Sequence, residues 1–377
     1  MSQRDMRQLA LTYRECDVLS VYFTPRSTLD DAGRQAVHAR PWVHAVEREL
    51  DNLRLQHVVA SGEERLALDT ALARFDEWRD AHAPEASAPG FVVFASTEGV
   101  LHAGVTAMPV RTGAVWQQGA HLAPLLRDVS LGPAAAVLVV DARRVHLHRF
   151  LAPGRLEPVE MLATDTSSEV ERRTGSALGP FHAGTRGGTA TDQSERLHLA
   201  ARHQLYDEAM RHADAIADPE GWIVIAGTAR AVAAASAAVP RAHTWRTITL
   251  TPFDVNAADA EVARAVAGVV AAHEAQRDRD VVREILEAHG SRGRGVAGLA
   301  ATRAAVARDG VATLLLSPRF VEQRPRDADA LLAEALTRGA TVRQIGGMAA
   351  EEADLRAEGV VARLRYRVND PATPQTP

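Results

Sequence analysis

Short runs of Val, Leu and Ile, each too brief for a helix, alternate along this chain with segments whose apolar residues recur every three or four positions. VLSVYF at 18–23 reads as a buried strand. Helical patterns follow at 34–57 (Val37, Trp42, Val46, Leu50, Leu53) and at 63–81 (Leu66, Ala67, Leu72, Phe75, Trp78). Strands are expected at 91–95 and 100–104 about Thr97, Glu98 and Gly99, then a short helix or an irregular approach to the next domain at 121–129. After Gly132 and Pro133, runs at 136–140 and 144–150 form a hairpin about Asp141 and Ala142. Beyond a polar stretch and a helix come a strand at 222–226, a small-residue helix at 229–238 and a strand at 247–250. One long helix, or a pair, is expected at 256–289. The chain closes with a helix at 297–308, a strand at 312–317, a helix at 327–338 ended by Gly339, and strands at 341–345 and 360–368. Sheets of this kind bury both faces only when helices cover them, which makes the fold class α/β.

At 377 residues the chain is too long for one small core. Boundaries are expected to give 1–132, 133–252 and 253–370, with 371–377 a frayed tail. Apolar residues are 46% and charged residues 24%, a globular rather than a disordered balance. No run approaches the roughly 20 apolar residues that span a bilayer, and the N-terminus lacks the apolar core of a secretory signal. Cys16 is the one cysteine, so neither a disulfide framework nor a multi-thiolate zinc site is available, and a reducing cytoplasm is the expected compartment. Neither a metal nor a cofactor is called for. The formal charge is −5, from 48 acidic and 43 basic residues, and every basic residue is Arg. That global balance argues against indiscriminate nucleic-acid binding, so any RNA-binding surface must be local.

The polar stretch at 153–192 is rich in Gly, Ser, Thr and Arg and has no sustained periodicity. Structureless loops of this length are uncommon inside compact domains and are usually functional or disordered. The next helix is expected to start near Asp192 or Ser194: Asp192 and Glu195 have capping-box spacing, and Leu197, Ala201, Leu205, Ala209, Ala213 and Ile216 trace one stripe. Between 172 and 191 stand Arg172, Arg173 and Arg186 without any Asp or Glu, and His182 adds charge at lower pH. With Arg196 on the helix they are the candidate RNA-phosphate contacts. A solvated connector is the plain alternative. Arg196, His203 and Arg211 share the polar side of the helix with Asp207 and Glu208, so that side is no uniform basic stripe.

Other patterns are weaker. SRGRGVAG at 291–298 lacks both a preceding strand and a following Gly-Lys-Ser/Thr, and reads as a helix-start turn. His146 and His148 alternate on one strand without a nearby carboxylate and read as surface histidines rather than ligands. Ser167 and Ser168 lack a nucleophile-elbow context, and Cys16 has no base partner. Trp42 and Trp78 fit helix cores.

Three C-terminal segments carry a family resemblance: GVAGLAATRAAVARDGVATLLLS, LLAEALTRGATVRQIGG and EGVVARLRYRV. The last presents Gly359, Val360, Val361, Ala362, Leu364, Arg365 and Tyr366. Together with the Val-rich strand to Asp141, its hairpin partner, a loop bearing Gly-Gly and an amphipathic helix, this order resembles the archaeo-eukaryotic release factor and Pelota superfamily. It looks most like the bacterial branch linked with Vms-like peptidyl-tRNA hydrolases and Balon-like hibernation factors. The resemblance implies an α/β N-terminal domain, a mixed-sheet central domain carrying a long loop, and a kink-turn-protein-like α/β/α C-terminal sandwich. It implies the ribosome as partner, through rRNA and peptidyl-tRNA, and raises a translational GTPase as a second partner.

In the release factors a Gly-Gly-Gln loop enters the peptidyl-transferase centre and hydrolyses the peptidyl-tRNA ester. Gly187, Gly188 and Gln193 are the matching positions here, but Thr189, Ala190, Thr191 and Asp192 separate the glycines from the Gln. Two forms stay open: a hydrolase in which the three act together, and a factor that occupies the A site of stalled or idle ribosomes without cutting. The displaced Gln tilts the reading towards binding. No counterpart of the Asn-Ile-Lys-Ser codon-reading motif is found in the first section. A ribosome-independent RNA- or protein-interaction module is the alternative from another class.

Overall fold

The computed structural model describes residues 3–25, 41–82, 84, 88–164 and 190–367. Among them the strands form three sheets. The chain divides into two compact units, Met1–Leu131 with Ala275–Pro377, and Gly132–Glu274.

In the first unit, β1 (Asp17–Phe23) pairs antiparallel with β2 (Gly90–Ser96) on one side and β4 (Gly113–Gln118) on the other, and β3 (Gly99–Thr106) extends the sheet beyond β2. Every residue of β1 after Asp17 is buried, because the sheet is covered on both faces. Leu19, Val21 and Phe23 meet α2 (Pro41–Gln56) and α3 (Gly62–Ala81) through Val46, Leu50, Leu68, Leu72 and Phe75. Phe23 stacks on Trp42 at 4.3 Å, so Trp42 is a core residue as its helical spacing suggested. Val18, Tyr22, Val92 and Phe94 face the opposite side. There they share one core with Met6 and Leu9 of α1 (Gln3–Thr12), and with Leu125 and Leu126 at the start of α4 (Leu126–Val129).

That same core contains one face of the C-terminal sheet, ordered β10-β13-β11-β12 (Gly295–Ala297, Val360–Leu364, Val311–Leu316 and Thr341–Gln344). Leu314, Leu316, Val342 and Val360 pack on it with helices Leu299–Ala307 and Pro325–Thr337. Leu315 and Val361 face the other way, onto Val282, Ile285 and the alanines of helix Gly347–Ala357. The C-terminal sheet is thus the middle layer of an α/β/α sandwich.

Asp329, 4% exposed, joins these parts. Its Oδ1 accepts the backbone N–H groups of Leu122 at 2.6 Å and Ala123 at 3.0 Å, and its Oδ2 accepts from the Gln117 side chain. It therefore satisfies donors at the start of the 3-10 turn Ala123–Leu125, which would otherwise be buried without partners. Tyr22 donates its hydroxyl to the His121 carbonyl; burial, helped by Asp329, raises that hydroxyl well above its ordinary value.

The second unit holds a five-stranded sheet ordered β7-β6-β5-β8-β9. The strands are β5 (Ala135–Val140), β6 (Arg144–Leu151), β7 (Arg155–Ala163), β8 (Ile223–Gly227) and β9 (Thr247–Leu250). β5, β6 and β7 form an antiparallel meander, whereas β5, β8 and β9 run parallel. β5 and β8 are buried at every position, as parallel strands covered on both faces must be. Ala136, Leu138 and Val140 pack on α5 (Ala190–Ile216) and α6 (Ala229–Ala237) through Leu205, Tyr206, Ala209 and Val232. Ala135, Val137 and Val139 face Val262, Val266 and Val270. These valines lie in α7 (Asp259–Gly290), a single helix where one or two were expected.

Several elements differ from the sequence reading. α1, β4, helix Pro318–Gln323 and helix Gly347–Ala357 were not expected. The stretch read as polar loop contains β7, an edge strand whose residues are mostly exposed and which therefore shows no apolar alternation. The final strand ends at Leu364, not 368. α5 begins at Ala190, so Asp192 is its third residue instead of a cap in front of it. His148, read as a surface residue, is buried. Among the described residues no helix is long and apolar enough to cross a membrane.

Gly359 precedes the final strand at φ +77°, where an added Cβ would lie 2.4 Å from Ser317 Oγ and 2.7 Å from Phe320 Cβ. Gly359→Ala should destabilise the first unit by roughly 2–4 kcal/mol in urea unfolding, from backbone strain and overpacking together. Gly268→Ala, on an exposed helical position with open space around it, should be neutral or stabilising by up to about 1 kcal/mol. Asp329→Ala strands two buried N–H groups and should cost about 2–4 kcal/mol in the same assay. Asp329→Asn, which keeps one acceptor oxygen, should cost less.

Candidate functional site

The carboxyl ends of β5 and β8 lie side by side because Gly227 closes β8 at φ +155°. An added Cβ there would stand 2.3 Å from the Val140 carbonyl oxygen, so this approach needs glycine. The next residue, Thr228, caps α6, its Oγ1 accepting from the Ala231 N–H at 3.4 Å. The first turn of α6 thus starts directly at the strand ends, with Arg230 in it.

At the end of β5 the chain turns through Asp141, Ala142 and Arg143 into β6. Asp141 Oδ1 accepts the N–H groups of Arg143 and Arg144, each at 2.7 Å, and its other oxygen lies 3.3 Å from the Arg144 guanidinium. Burial alone would raise this carboxyl; the backbone hydrogen bonds and the Arg144 charge outweigh it, leaving Asp141 below its ordinary 3.8. Buried Tyr206, on α5, donates to the Asp141 carbonyl at 2.9 Å and so fixes the helix to the turn. Burial raises the Tyr206 hydroxyl above its usual value, so it remains a donor at neutral pH. The Thr164 N–H donates to the Arg143 carbonyl at 2.9 Å, holding the end of β7 to the same turn.

These contacts enclose a depression of about 520 Å³ whose charged lining is Arg143, Arg202 and Arg230, with His198 and Thr164 beside them. Arg143 and Arg230 are exposed and Arg202 is half-buried. The Arg202 Nε is buried without a hydrogen-bond partner. The residues come from the hairpin turn, α5 and α6, which the sheet brings to one edge.

The residues singled out from sequence fall differently. Gly187, Gly188, Arg172, Arg173, His182 and Arg186 lie outside the described residues, as do Ser167 and Ser168. Gln193 is the fourth residue of α5. Arg196 is exposed on the same helix, as are His203, Arg211, Asp207 and Glu208. The apolar stripe of that helix is in place, with Leu205, Ala209 and Ala213 buried. His148 is buried beside Asp259 and His146; burial lowers its pKa, and its Nδ1 has no hydrogen-bond partner. A buried imidazole held neutral in this way is a packing group. Cys16 is exposed. Among the described residues no group of three or more His, Cys, Asp or Glu side chains could hold a metal ion. The arginine cluster was not found from sequence, since positions 143, 202 and 230 belong to three elements and share no motif.

Residues 121–277 match the family model described as bacterial archaeo-eukaryotic release factor family 10. The match contains the whole of the second unit. Over these residues the match agrees with the resemblance to the archaeo-eukaryotic release factor and Pelota superfamily read from the sequence. Among solved structures the chain is similar to Pelota of Archaeoglobus fulgidus, at 13% identity over 98% of this chain and 93% of that one, with a TM-score of 0.38. It is similar to an archaeal translation termination factor, aRF1, at 16% identity over 97% and 99%, with a TM-score of 0.27. It is also similar to an archaeal Pelota in a model of the ribosome-bound protein with ABCE1, at 12% identity over 97% and 94%, with a TM-score of 0.41. Among curated proteins none matches this chain.

The depressed Asp141 carboxyl gives a pH prediction. A carboxyl whose folded-state value lies below its unfolded one stabilises the fold when ionised; that contribution is present above the unfolded value and lost as pH falls through the folded one. Asp141→Asn should therefore lower the thermal midpoint at pH 7. The gap from wild type should close in acid, measured by circular dichroism across a pH series.

Proposed function

We propose that this protein is a cytoplasmic, ribosome-associated translation factor that binds the A site of stalled or idle ribosomes without reading stop codons. In this reading the segment between β7 and α5 lies near the peptidyl-transferase centre. The observation that carries it is the release-factor family match, which spans the complete central unit from which that segment leaves and to which it returns. The absence of an Asn-Ile-Lys-Ser counterpart, in a chain with no Lys at all, supports the statement on stop codons. A translational GTPase is the second partner that the superfamily resemblance raises.

Binding is favoured over hydrolysis by the position of Gln193. It stands five residues after Gly188, inside α5, where the release-factor pattern has a Gln directly after the glycines. Regular helical backbone there gives no equivalent of the glycine-shaped loop on which the hydrolytic arrangement depends.

The test is co-sedimentation with bacterial ribosomes, either idle or carrying peptidyl-tRNA, joined to an assay of peptide release. The protein should pellet with ribosomes, less so as salt rises, and should release no peptide; Gln193→Ala should change neither result. Peptide release that Gln193→Ala abolishes would establish the hydrolase form with Gly187, Gly188 and Gln193 as its centre. Failure to pellet with any ribosome preparation would leave the ribosome-independent interaction module.

A further inference from the structure

The geometry points to a phosphate-binding site for an RNA backbone in the second unit, formed by Arg143, Arg202 and Arg230. This deepens the ribosomal reading above and rests on it for the identity of the RNA. Three guanidinium groups line one depression of about 520 Å³, and among the described residues of its lining there is no carboxylate. The nearest acid of the turn, Asp141, is already held by two backbone N–H groups and by Arg144. Among the described residues none of the three arginines has an ion-pair partner, although exposed arginines elsewhere do, among them Arg54 with Asp51 and Arg74 with Glu77. Like charges gathered without a counter-ion repel one another, and a bound anion relieves that cost.

The site is also pre-organised. Arg143 is placed by the turn that Asp141 holds, Arg202 by α5 through the Tyr206 bond to that turn, and Arg230 by the capped first turn of α6. The positive end of α6 adds to the same potential. Guanidinium forks match phosphate oxygens in a bidentate manner. The chemistry favours backbone phosphate over a free nucleotide: among the described residues the lining has no Phe, Tyr or Trp on which a base would stack, and its largest apolar side chain, Leu199, is 51% exposed. Recognition here is therefore of phosphates without regard to sequence.

The experiment uses the full chain, a fluorescein-labelled RNA hairpin and bacterial ribosomes. The triple variant Arg143→Gln, Arg202→Gln, Arg230→Gln is compared with wild type and with a variant losing the same charge elsewhere, Arg48→Gln, Arg54→Gln, Arg74→Gln. Hairpin affinity should fall at least tenfold in the first variant and less than twofold in the second. The slope of log affinity against log salt should become shallower by about 2–3 in the first variant alone, as loss of three phosphate contacts requires. The exposed pair Arg143→Gln, Arg230→Gln, with its thermal midpoint unchanged, should lose a proportionate part of the slope and thereby separates binding from folding. Equal affinity and slope in all variants, or no hairpin binding by wild type, overturns the site. Arginine-dependent binding of inorganic phosphate or uridine monophosphate, without arginine-dependent hairpin binding, overturns RNA as the ligand and leaves a small-anion pocket. If the triple variant still pellets with ribosomes like wild type and binds the hairpin unchanged, the site falls while the ribosomal reading stands. Arginine-dependent hairpin binding without ribosome pelleting upholds the site and removes the ribosomal reading.

Discussion

The parallel pairing of β5 with β8 is the constraint on which the second unit depends. Both strands are buried throughout, and the close approach at their ends exists because Gly227 has no side chain to meet the Val140 carbonyl. That approach sets the start of α6 beside the hairpin turn after β5. Ligand sites in open α/β sheets characteristically lie beyond the carboxyl ends of parallel strands, and the arginines gather at such an edge. Thr164, the last described residue before α5, is bonded to the same turn.

The first unit is built on a different principle. Its two sheets each have a helical layer of their own and share a single core through their other faces. Sequence segments more than 200 residues apart meet in it, with Asp329 accepting the N–H groups of Leu122 and Ala123. A buried carboxylate is tolerable there because the donors it meets would be unsatisfied without it. The N-terminal helix is held in a comparable way, Gln3 accepting from the Val342 N–H at 3.2 Å. Helix Pro325–Thr337 thus serves two neighbours, which explains its run of buried positions, Ala328, Asp329, Leu331, Leu332, Ala335 and Leu336.

Elements with uniform apolar runs or a clean stripe were legible in the sequence: β1, β5, β6, β8, β9 and α5 stand close to their expected places. What escaped has a physical reason in each case. Helix Gly347–Ala357 buries only alanines, so its apolar face carries little contrast. β7 is an edge strand with Pro158 and no fully buried residue, and nothing in its pattern separates it from a loop. α1 shows three buried positions in ten, too short a pattern to stand out. Gly187, Gly188 and Gln193 were singled out because a resemblance supplied their order, and the two glycines lie outside the described residues. Arg143, Arg202 and Arg230, by contrast, become neighbours only once β5, α5 and α6 have been folded against each other.

The all-arginine composition of that cluster has a chemical consequence. Enzymes that acetylate lysine side chains erase positive charge and can thereby loosen a protein's hold on nucleic acid. A guanidinium offers no such amine, and it keeps its proton at any pH a cell reaches. The charge of the three guanidinium groups is accordingly beyond the reach of both lysine acylation and acidification.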